Sequence, residues 1–270
     1  MTDPHVIAFY DRHPISADQI LAKVGGAPSG AADLWPHDQD HYGGLEANAA
    51  LAQRAAIGPG TRVLDLCAGL CGPARHNAAT LGCSVVALEL NAQRASGARR
   101  LNALVGFDRR IAVVQGDATR PPFGDGAFDV VWSQEAFLHI ADKTGLLAGA
   151  RRVLKPGGRL AFTDWTAGPA LTDADRRLMD EGIAAKAIHS PAEYEGLLTG
   201  AGFAEIRRED LSAAWRSILQ ARLEMYRHLR DEAQRATGAD PHADYVRFYE
   251  RFVALVAGGA LGGARFVAVA

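Results

Sequence analysis

The sequence predicts an α/β fold built around a mostly parallel sheet. Short apolar runs of strand type alternate with helical stretches between residues 61 and 163. Such alternation is typical of βαβ units, in which a helix returns the chain so that successive strands run parallel. A loop of small residues follows the first apolar run. Because right-handed crossovers bring the carboxyl ends of parallel strands to one edge of a sheet, we expect a ligand site at that edge.

The predicted elements follow one another in a regular order up to residue 164. Residues 1–42 are polar and aromatic, with one short helix predicted at 16–24, and an alanine-rich helix follows at 45–57. The predicted strands are residues 62–66, 84–88, 110–115, 128–132 and 159–163, and the helices between them are residues 73–81, 91–104 and 145–154.

Beyond residue 164 the alternation becomes looser. Helices are predicted at 172–181 and 190–199, a strand at 203–210, a long and mostly helical segment at 212–257, and a last strand at 265–269. No linker divides the chain, so we expect these elements to elaborate the same α/β unit.

The composition is that of a globular protein without an obvious macromolecular partner. Hydrophobic residues make up 48% of the 270 residues, charged residues 22%, and the formal net charge is −2. The absence of a basic face argues against nucleic acid binding. The sequence has no run of about 18 apolar residues and no secretory signal pattern, and its three cysteines are an odd number. These features predict a cytoplasmic protein with no membrane partner.

The loop after the first strand is the most informative segment. Asp65 ends the strand, and Cys67, Gly69 and Cys71 belong to a run of small residues that opens a helix. Small residues let a ligand approach the backbone, and the helix N-terminus offers free N–H donors. Dinucleotide sites use a glycine-rich loop too, but with the spacing G-x-G-x-x-G, which is absent here. A purely structural strand-to-helix turn is the other interpretation.

The next two strands also end in groups that suit a nucleoside. Glu89 follows the second strand, 20 residues after Gly69, and its carboxylate can accept two hydrogen bonds from a ribose diol. Asp117 follows the third strand and can accept from an exocyclic amine, while Ala118 leaves room for a ring. We expect all three strand ends to meet at one sheet edge.

Two groups of residues raise the question of a metal site. Cys67 and Cys71 lie close to His76, and a second group combines histidines and aspartates at residues 37–41. Zinc requires about four ligands in a closed geometry, and the first group lacks a second cluster. Small side chains at glycine positions explain the cysteines better, and polar loop residues explain the second group, so no metal is predicted.

Taken together, these segments resemble the class I S-adenosylmethionine (SAM)-dependent methyltransferases. The matching segments, in chain order, are residues 63–69, Glu89, 116–118, 128–133 and 154–160. The resemblance implies a Rossmann-like class I methyltransferase fold, with a mostly parallel seven-stranded sheet, helices on both faces, an N-terminal lid and a helical cap insertion. It divides the chain into a lid at 1–42 and a methyltransferase domain at 43–270, with cap elements at about 166–200 and 212–257.

The cofactor implied by this resemblance is SAM. The loop from Asp65 to Gly69 would hold the methionine part, Glu89 the ribose, and Asp117 with Ala118 the adenine. The full set implied for the cofactor is Tyr42, Asp65, Cys67, Ala68, Gly69, Glu89, Leu90, Asp117, Ala118, Ser133, Gln134 and Glu135. An NAD site is the weaker alternative, because the Lys-Pro-Gly-Gly segment before the fifth strand belongs to the methyltransferase pattern.

A narrower resemblance concerns the segment after the fourth strand. Residues 132–140 are similar to that segment in phosphoethanolamine and glycine/sarcosine/dimethylglycine N-methyltransferases. In the phosphoethanolamine branch a lid tyrosine and a histidine close over the methyl donor. Carried over by position, His139 and Tyr10 are the implied catalytic pair.

The acceptor pocket departs from the phosphoethanolamine enzymes. Those enzymes clamp phosphate with an arginine and tyrosines, whereas Lys186 and His189 are the candidates in the corresponding stretch here. The residues expected to line a substrate pocket are Trp165, Lys186, His189, Tyr194 and Trp215. For the aromatic residues among them, packing between the sheet and the cap is an equally good interpretation.

These observations predict a SAM-dependent methyltransferase, a monomer or homodimer, that acts on a small molecule. An amine nitrogen is the favoured acceptor. Small-molecule O- or C-methylation and a catalytically silent SAM-binding module are the alternatives.

Overall fold

The computed structural model describes residues 4–11, 15–237 and 243–270. Within those ranges the strands are β1 Arg62–Leu66, β2 Ser84–Glu89, β3 Ile111–Gln115, β4 Phe128–Gln134, β5 Leu154–Ala167, β6 Ala204–Asp210 and β7 Leu261–Val269. The helices are α1 Pro4–Asp11, α2 Ala17–Val24, α3 Gly44–Arg54, α4 Gly72–Leu81, α5 Ala92–Leu104, α6 Lys143–Val153, α7 Asp173–Ile183, α8 Pro191–Gly200, α9 Ser212–Thr237 and α10 Ala243–Ala257. Two short 3₁₀ turns cover Ala31–Asp33 and Phe137–His139.

The strands form one sheet in the order β3-β2-β1-β4-β5-β7-β6. The first five strands are parallel, and β7 runs antiparallel between β5 and β6. In the register of the sheet, Leu66 pairs with Leu88, Glu89 with Gln115, and Gln134 with Thr163. The carboxyl ends of the parallel strands therefore share one edge, as the alternation of strands and helices predicted.

Alternate side chains of each strand pack into two separate layers of core. Leu64 and Phe162 face α6 and α8 in one layer, whereas Val63 and Ala161 face α3, α4 and α5 in the other. Burial on both faces explains why the central strands are continuous apolar runs. The mostly parallel seven-stranded sheet with helices on both faces is thus confirmed.

The structure differs from the predicted helices and strands at three places. Helix α1 lies within residues 1–42, where only the helix now seen as α2 was predicted. The predicted strand 159–163 is the middle of a longer β5, because β7 pairs with it over the nine positions from Arg159 to Ala167. The segment predicted as helical at 212–257 forms two helices, α9 and α10, and its residues 238–242 lie outside the described residues.

Candidate active site

A cavity of about 310 Å³ opens at the carboxyl edge of the sheet. Its wall comes from the loops after β1, β2, β3 and β4 and from the N-terminal segment, including Val6, Ile7 and Tyr10 of α1. A cavity of this size falls in the range of small-molecule sites. From the predicted cofactor set it brings together Asp65, Cys67, Ala68, Gly69, Glu89, Leu90, Asp117, Ala118, Gln134 and Glu135, and from the other predictions Tyr10, His139 and Lys186.

The loop after β1 forms the floor of this cavity in a backbone conformation that favours glycine. Cys67, Gly69 and Cys71 have φ angles of 59°, 55° and 62°, all in the left-handed region. The two cysteines occupy positions where the methyltransferase pattern usually has glycine. The Gly69 amide donates a hydrogen bond of 2.8 Å to the Glu89 Oε2 atom, so the loop and the end of β2 hold each other.

The acids after β2 and β3 are fixed by backbone amides. The second oxygen of Glu89 accepts from the Asn91 amide at 2.8 Å, which orients the carboxylate at the start of α5. Asp117 accepts from the amide and the hydroxyl of Thr119 at 2.9 and 2.8 Å. Both side chains lie in the cavity wall, beside the small Ala118.

The cavity wall is strongly acidic. Its described residues include seven carboxylates, Asp38, Asp40, Asp65, Glu89, Asp117, Glu135 and Asp142, against three basic side chains, Arg94, Arg120 and Lys186. Burial and then the Glu89 charge raise the pKa of Asp65 well above its usual range, and burial does the same for the pKa of Glu135. A cation bound in this cavity would stabilise the ionised forms of both carboxyl groups and so lower their pKa values.

Tyr10 and His139 contact each other across the cavity. The Tyr10 hydroxyl lies 2.8 Å from His139 Nε2, and His139 Nδ1 lies 3.0 Å from the Ala184 carbonyl oxygen. Because a carbonyl only accepts, Nδ1 carries the proton and Nε2 accepts from the tyrosine. Burial lowers the pKa of His139 to about 4 and raises that of Tyr10, so both groups are neutral near pH 7.

Arg94 and Asp40 form a charged pair in the wall, and neither was among the predicted site residues. Arg94 donates to Asp40 at 2.8 Å, and its guanidinium lies over the Tyr10 ring at 4.8 Å. This pair joins the N-terminal segment to α5. Arg94, Ala98 and Leu101 share the buried face of that helix, so its helical spacing was a usable signal in the sequence. Asp40 lies in a loop and shows no such periodicity, although it belongs to the group of histidines and aspartates at residues 37–41 that was considered as a metal site from the sequence.

The predicted substrate residues separate into two groups. Lys186 lies in the cavity wall, where its Nζ atom is 2.7 Å from Asp180 Oδ1 and 2.8 Å from His5 Nδ1. His189 is part-buried and lies outside the wall, with its ring 5.6 Å from that of Tyr194.

The aromatic residues predicted to line a pocket are packing residues. Trp165 and Trp215 are buried, with ring centroids 4.5 Å apart, and Tyr194 is fully buried behind the sheet. Trp215 belongs to α9, and α9 and α10, which both pack on β7, cover Trp165 of β5.

Two predicted cofactor residues lie outside the cavity wall. The Tyr42 ring packs against both Trp165 and Trp215, at 5.3 and 5.2 Å between centroids, while its backbone amide donates to both carboxylate oxygens of Glu135. Ser133 is buried, and its hydroxyl donates to the Leu66 carbonyl oxygen at 2.9 Å. The Tyr42 backbone therefore orients Glu135, which does line the cavity. Ser133 joins β4 to β1.

In the described part of the chain, no group of three or more His, Cys, Asp and Glu side chains is arranged to hold a metal ion. Across the same ranges, every helix falls short of the length and hydropathy needed to cross a membrane.

Comparison with known proteins places this arrangement in a family. A family model described as a methyltransferase domain matches residues 64–162. The sarcosine/dimethylglycine N-methyltransferase of Halorhodospira halochloris is 37% identical over 199 residues, which cover 72% of this chain and 71% of that protein. This chain belongs to the class I SAM-dependent methyltransferases. SAM is the methyl donor of that family.

Two further relatives extend the comparison. The glycine/sarcosine/dimethylglycine N-methyltransferase of Actinopolyspora halophila is also 37% identical, over 60% of this chain but only 29% of its own length. This chain thus spans less than a third of that relative. A solved structure of Haemonchus contortus phosphoethanolamine N-methyltransferase 2 with SAM superposes with a TM-score of 0.79 at 22% identity, covering all of this chain and 60% of that one. That similarity supports the fold.

Proposed function

We propose that this protein transfers a methyl group from SAM to the nitrogen of a small amine. The observation that carries the proposal is the acidic cavity at the carboxyl edge of the sheet. SAM has a sulfonium and an ammonium group against one carboxylate, so its net charge is positive. The pyrophosphate of NAD would instead be repelled by these buried carboxylates.

The residues in the wall suit the donor. Arg94 Nη1 and Gln134 Oε1 are buried polar atoms without a hydrogen-bond partner among the described residues, which leaves a donor and an acceptor for a ligand. In our proposal Asp65 and the loop to Gly69 hold the amino-acid part of SAM, and Glu89 binds the ribose diol. Bound there, SAM would supply an activated methyl group.

The protein's chemical task is then alignment and proton removal. Helix α1 places Val6, Ile7 and Tyr10 over the cavity, which excludes water from the reacting atoms. His139 Nε2 is neutral and points to the Tyr10 hydroxyl, so the pair can accept a hydrogen bond from an acceptor nitrogen and orient its lone pair. The nitrogen becomes acidic as it gains a methyl group, and its proton can then pass to this pair.

Two observations favour a small amine with an anionic group as the acceptor. The named relatives act on sarcosine, dimethylglycine or glycine, which are small amines with a carboxylate. Lys186 sits in the cavity wall on the same side as the Tyr10–His139 pair, through its contact with His5 of α1. Its charge can receive the anionic group of such an acceptor.

The test is a binding and turnover measurement on the full chain. We expect titration calorimetry to show binding of SAM and S-adenosylhomocysteine but not of NAD. We expect release of S-adenosylhomocysteine with an acceptor panel to be highest for amines such as sarcosine and dimethylglycine. Turnover only with hydroxyl acceptors would replace the amine by an alcohol, and donor binding without any turnover would indicate a silent binding module.

The His139→Ala variant tests the proposed chemistry. Loss of a general acid/base or orienting group typically costs about 10²–10⁴-fold in rate, so we expect kcat to fall at least about tenfold. Affinity for S-adenosylhomocysteine should change less than about twofold, because the imidazole faces the acceptor side. His228→Ala, at an exposed position of α9, is the matched control. Normal turnover in His139→Ala would contradict the role of the pair.

A further inference from the structure

Lys143 is a buried lysine at an unfavourable position. It is the first residue of α6 and only 3% exposed. Removing an ammonium group from water is costly, and a positive charge at a helix N-terminus also opposes the helix dipole. The burial lowers the pKa of Lys143 to about 8. A residue held at such a cost must make interactions that offset it.

The ammonium group satisfies all three of its donors with backbone carbonyls. Its Nζ atom lies 2.5 Å from the Phe137 oxygen, 2.7 Å from the Ile140 oxygen and 3.1 Å from the Ala187 oxygen. Hydrogen bonds to a charged donor are about twice as strong as neutral ones. This lysine therefore supplies a donor to the Ile140 and Ala187 oxygens and a second donor to the Phe137 oxygen, which also accepts from the Ile140 amide at 2.9 Å.

The three carbonyls belong to the two segments that hold His139. Phe137 and Ile140 flank the 3₁₀ turn that carries the imidazole. Ala187 lies three residues after Ala184, whose carbonyl oxygen accepts from His139 Nδ1 at 3.0 Å. The Ala187 amide also donates to the Leu138 oxygen at 3.0 Å. Lys143 bridges the turn to the segment that sets the tautomer of the histidine.

A buried carboxylate on β5 balances the charge from the other side. Asp164 accepts from the Leu138 amide at 3.2 Å and from the Tyr194 hydroxyl, and its charge favours the ammonium form of Lys143. The Lys143 ammonium and the Asp164 carboxylate therefore both bind the turn that carries His139, the first through carbonyl oxygens and the second through an amide.

We propose that Lys143 is a positioning residue, which fixes the orientation and the Nδ1–H tautomer of His139 by joining the 137–140 turn to residues 184–187. The proposal rests on the proposed role of His139 in methyl transfer. Lys143 does not line the cavity and touches neither donor nor acceptor. Its effect on the reaction passes through the imidazole.

Methionine, glutamine and arginine at position 143 would preserve different parts of the lysine's interactions. Methionine keeps the length of the side chain but removes the ammonium donor from the Phe137, Ile140 and Ala187 oxygens, so the two segments can separate. Glutamine keeps two N–H donors without a charge, and should retain part of the function. Arginine keeps the charge but is larger than the space between the segments.

The first test is the tautomer itself, read by NMR with ¹⁵N-labelled histidine. Comparison with His139→Gln identifies the His139 signals. In the wild type we expect a protonated Nδ1 and an unprotonated Nε2, and in Lys143→Met we expect the two ring signals to move toward an averaged tautomer. Lys155→Met, at an exposed salt bridge with Asp129, is the control and should leave them unchanged.

The second test separates kcat from binding. We expect Lys143→Met to lower kcat at least about tenfold, with affinity for S-adenosylhomocysteine within about twofold of wild type, and Lys143→Gln to fall between the two. If the methionine variant does not fold, the glutamine variant carries both measurements. An unchanged tautomer together with normal kcat in a folded variant would overturn the inference. Absence of turnover in the wild type would defeat the proposed function, while the NMR result would still report on Lys143.

Discussion

At the scale of single residues, the site depends on carboxylates that the backbone orients before any ligand arrives. Glu89 shows this most clearly, because each of its oxygens accepts from a different amide, those of Gly69 and Asn91. The carboxylate is therefore already restricted to one direction, and a ribose diol would meet it with little loss of side-chain entropy.

Glu89→Gln tests that arrangement. The substitution keeps the size of the side chain but removes the charge and one of the two acceptors. We expect affinity for S-adenosylhomocysteine to weaken by about 1–3 kcal/mol, the usual cost of losing a charge-assisted hydrogen bond. Titration calorimetry measures it, with Glu181→Gln on the exposed surface of α7 as the control. Equal affinity in both variants would mean that Glu89 does not bind the donor.

Some residues of the site could be predicted from the sequence and others could not. Asp65, Glu89 and Asp117 could be placed together because each ends a parallel strand, and the sheet geometry then fixes their common edge. Trp165 and Trp215 were misplaced because an aromatic side chain has the same hydrophobic character in a pocket and in a core. Only the packing of α9 and α10 on β7 decides between the two, and those contacts are far apart in sequence.

At the scale of elements, a buried ion pair joins the short segment before α3 to helix α4. Asp38 accepts from Arg75 of α4 at 2.9 Å, and both side chains are fully buried. Gly72, the first residue of α4, lies directly beneath it: a Cβ atom at this position would be 1.9 Å from the Asp38 carbonyl oxygen. The close approach requires a glycine even though its φ is not left-handed.

Gly72→Ala should therefore displace the segment around Asp38. We expect a loss of about 1–3 kcal/mol in the free energy of unfolding, the usual cost of overpacking, together with weaker binding of S-adenosylhomocysteine. Gly196→Ala is the matched control, because that glycine lies in the exposed part of α8 with nothing within 4 Å of its added Cβ. The control should gain about 0.5–1 kcal/mol. Urea unfolding measures both, and a Gly72→Ala protein as stable as wild type would contradict the close approach.

The elements differ in how readily the sequence predicts them. The strands β1, β2 and β4 were found because burial on both faces makes them continuous apolar runs between turn residues. Helix α1 was not found, because it has eight residues and a weak amphipathic pattern. Its position depends on contacts far apart in sequence, such as that between the Tyr10 hydroxyl and His139. The order of the strands in the sheet was not predicted, because it depends on pairing between segments far apart in sequence.

At the scale of the whole molecule, buried titratable groups make stability depend on pH in opposing directions. Burial lowers the pKa of His41 and of His139 to about 4, from about 6.5 in an unfolded chain. Between these values the unfolded state binds more protons, so these histidines reduce stability as the pH falls. Asp164 acts in the other direction, because its pKa is raised to about 6 by burial and the folded state then binds the proton.

Comparing the unfolding free energies of the wild type and a variant without the imidazole isolates the contribution of His139. The free energy of unfolding of wild type relative to His139→Gln should fall as the pH decreases from about 6.5 toward 4, by at most about 1.4 kcal/mol per pH unit. Asp164, Asp65 and Glu135 are common to both proteins and cancel to first order. Urea unfolding at several pH values in this window provides the comparison. A difference that stays constant with pH would show that His139 is not held neutral in the folded protein.

The division of the cavity wall has an evolutionary consequence. Glu89, Asp117 and His139 lie inside the segment that the family model matches, whereas Tyr10 and Lys186 lie outside it. The two acids proposed to bind the donor thus lie in the part of the chain that the family shares, whereas two residues beside the proposed acceptor site lie in parts that the family model leaves unspecified. Paralogous genes can in this way diverge in what they methylate while keeping the same methyl donor.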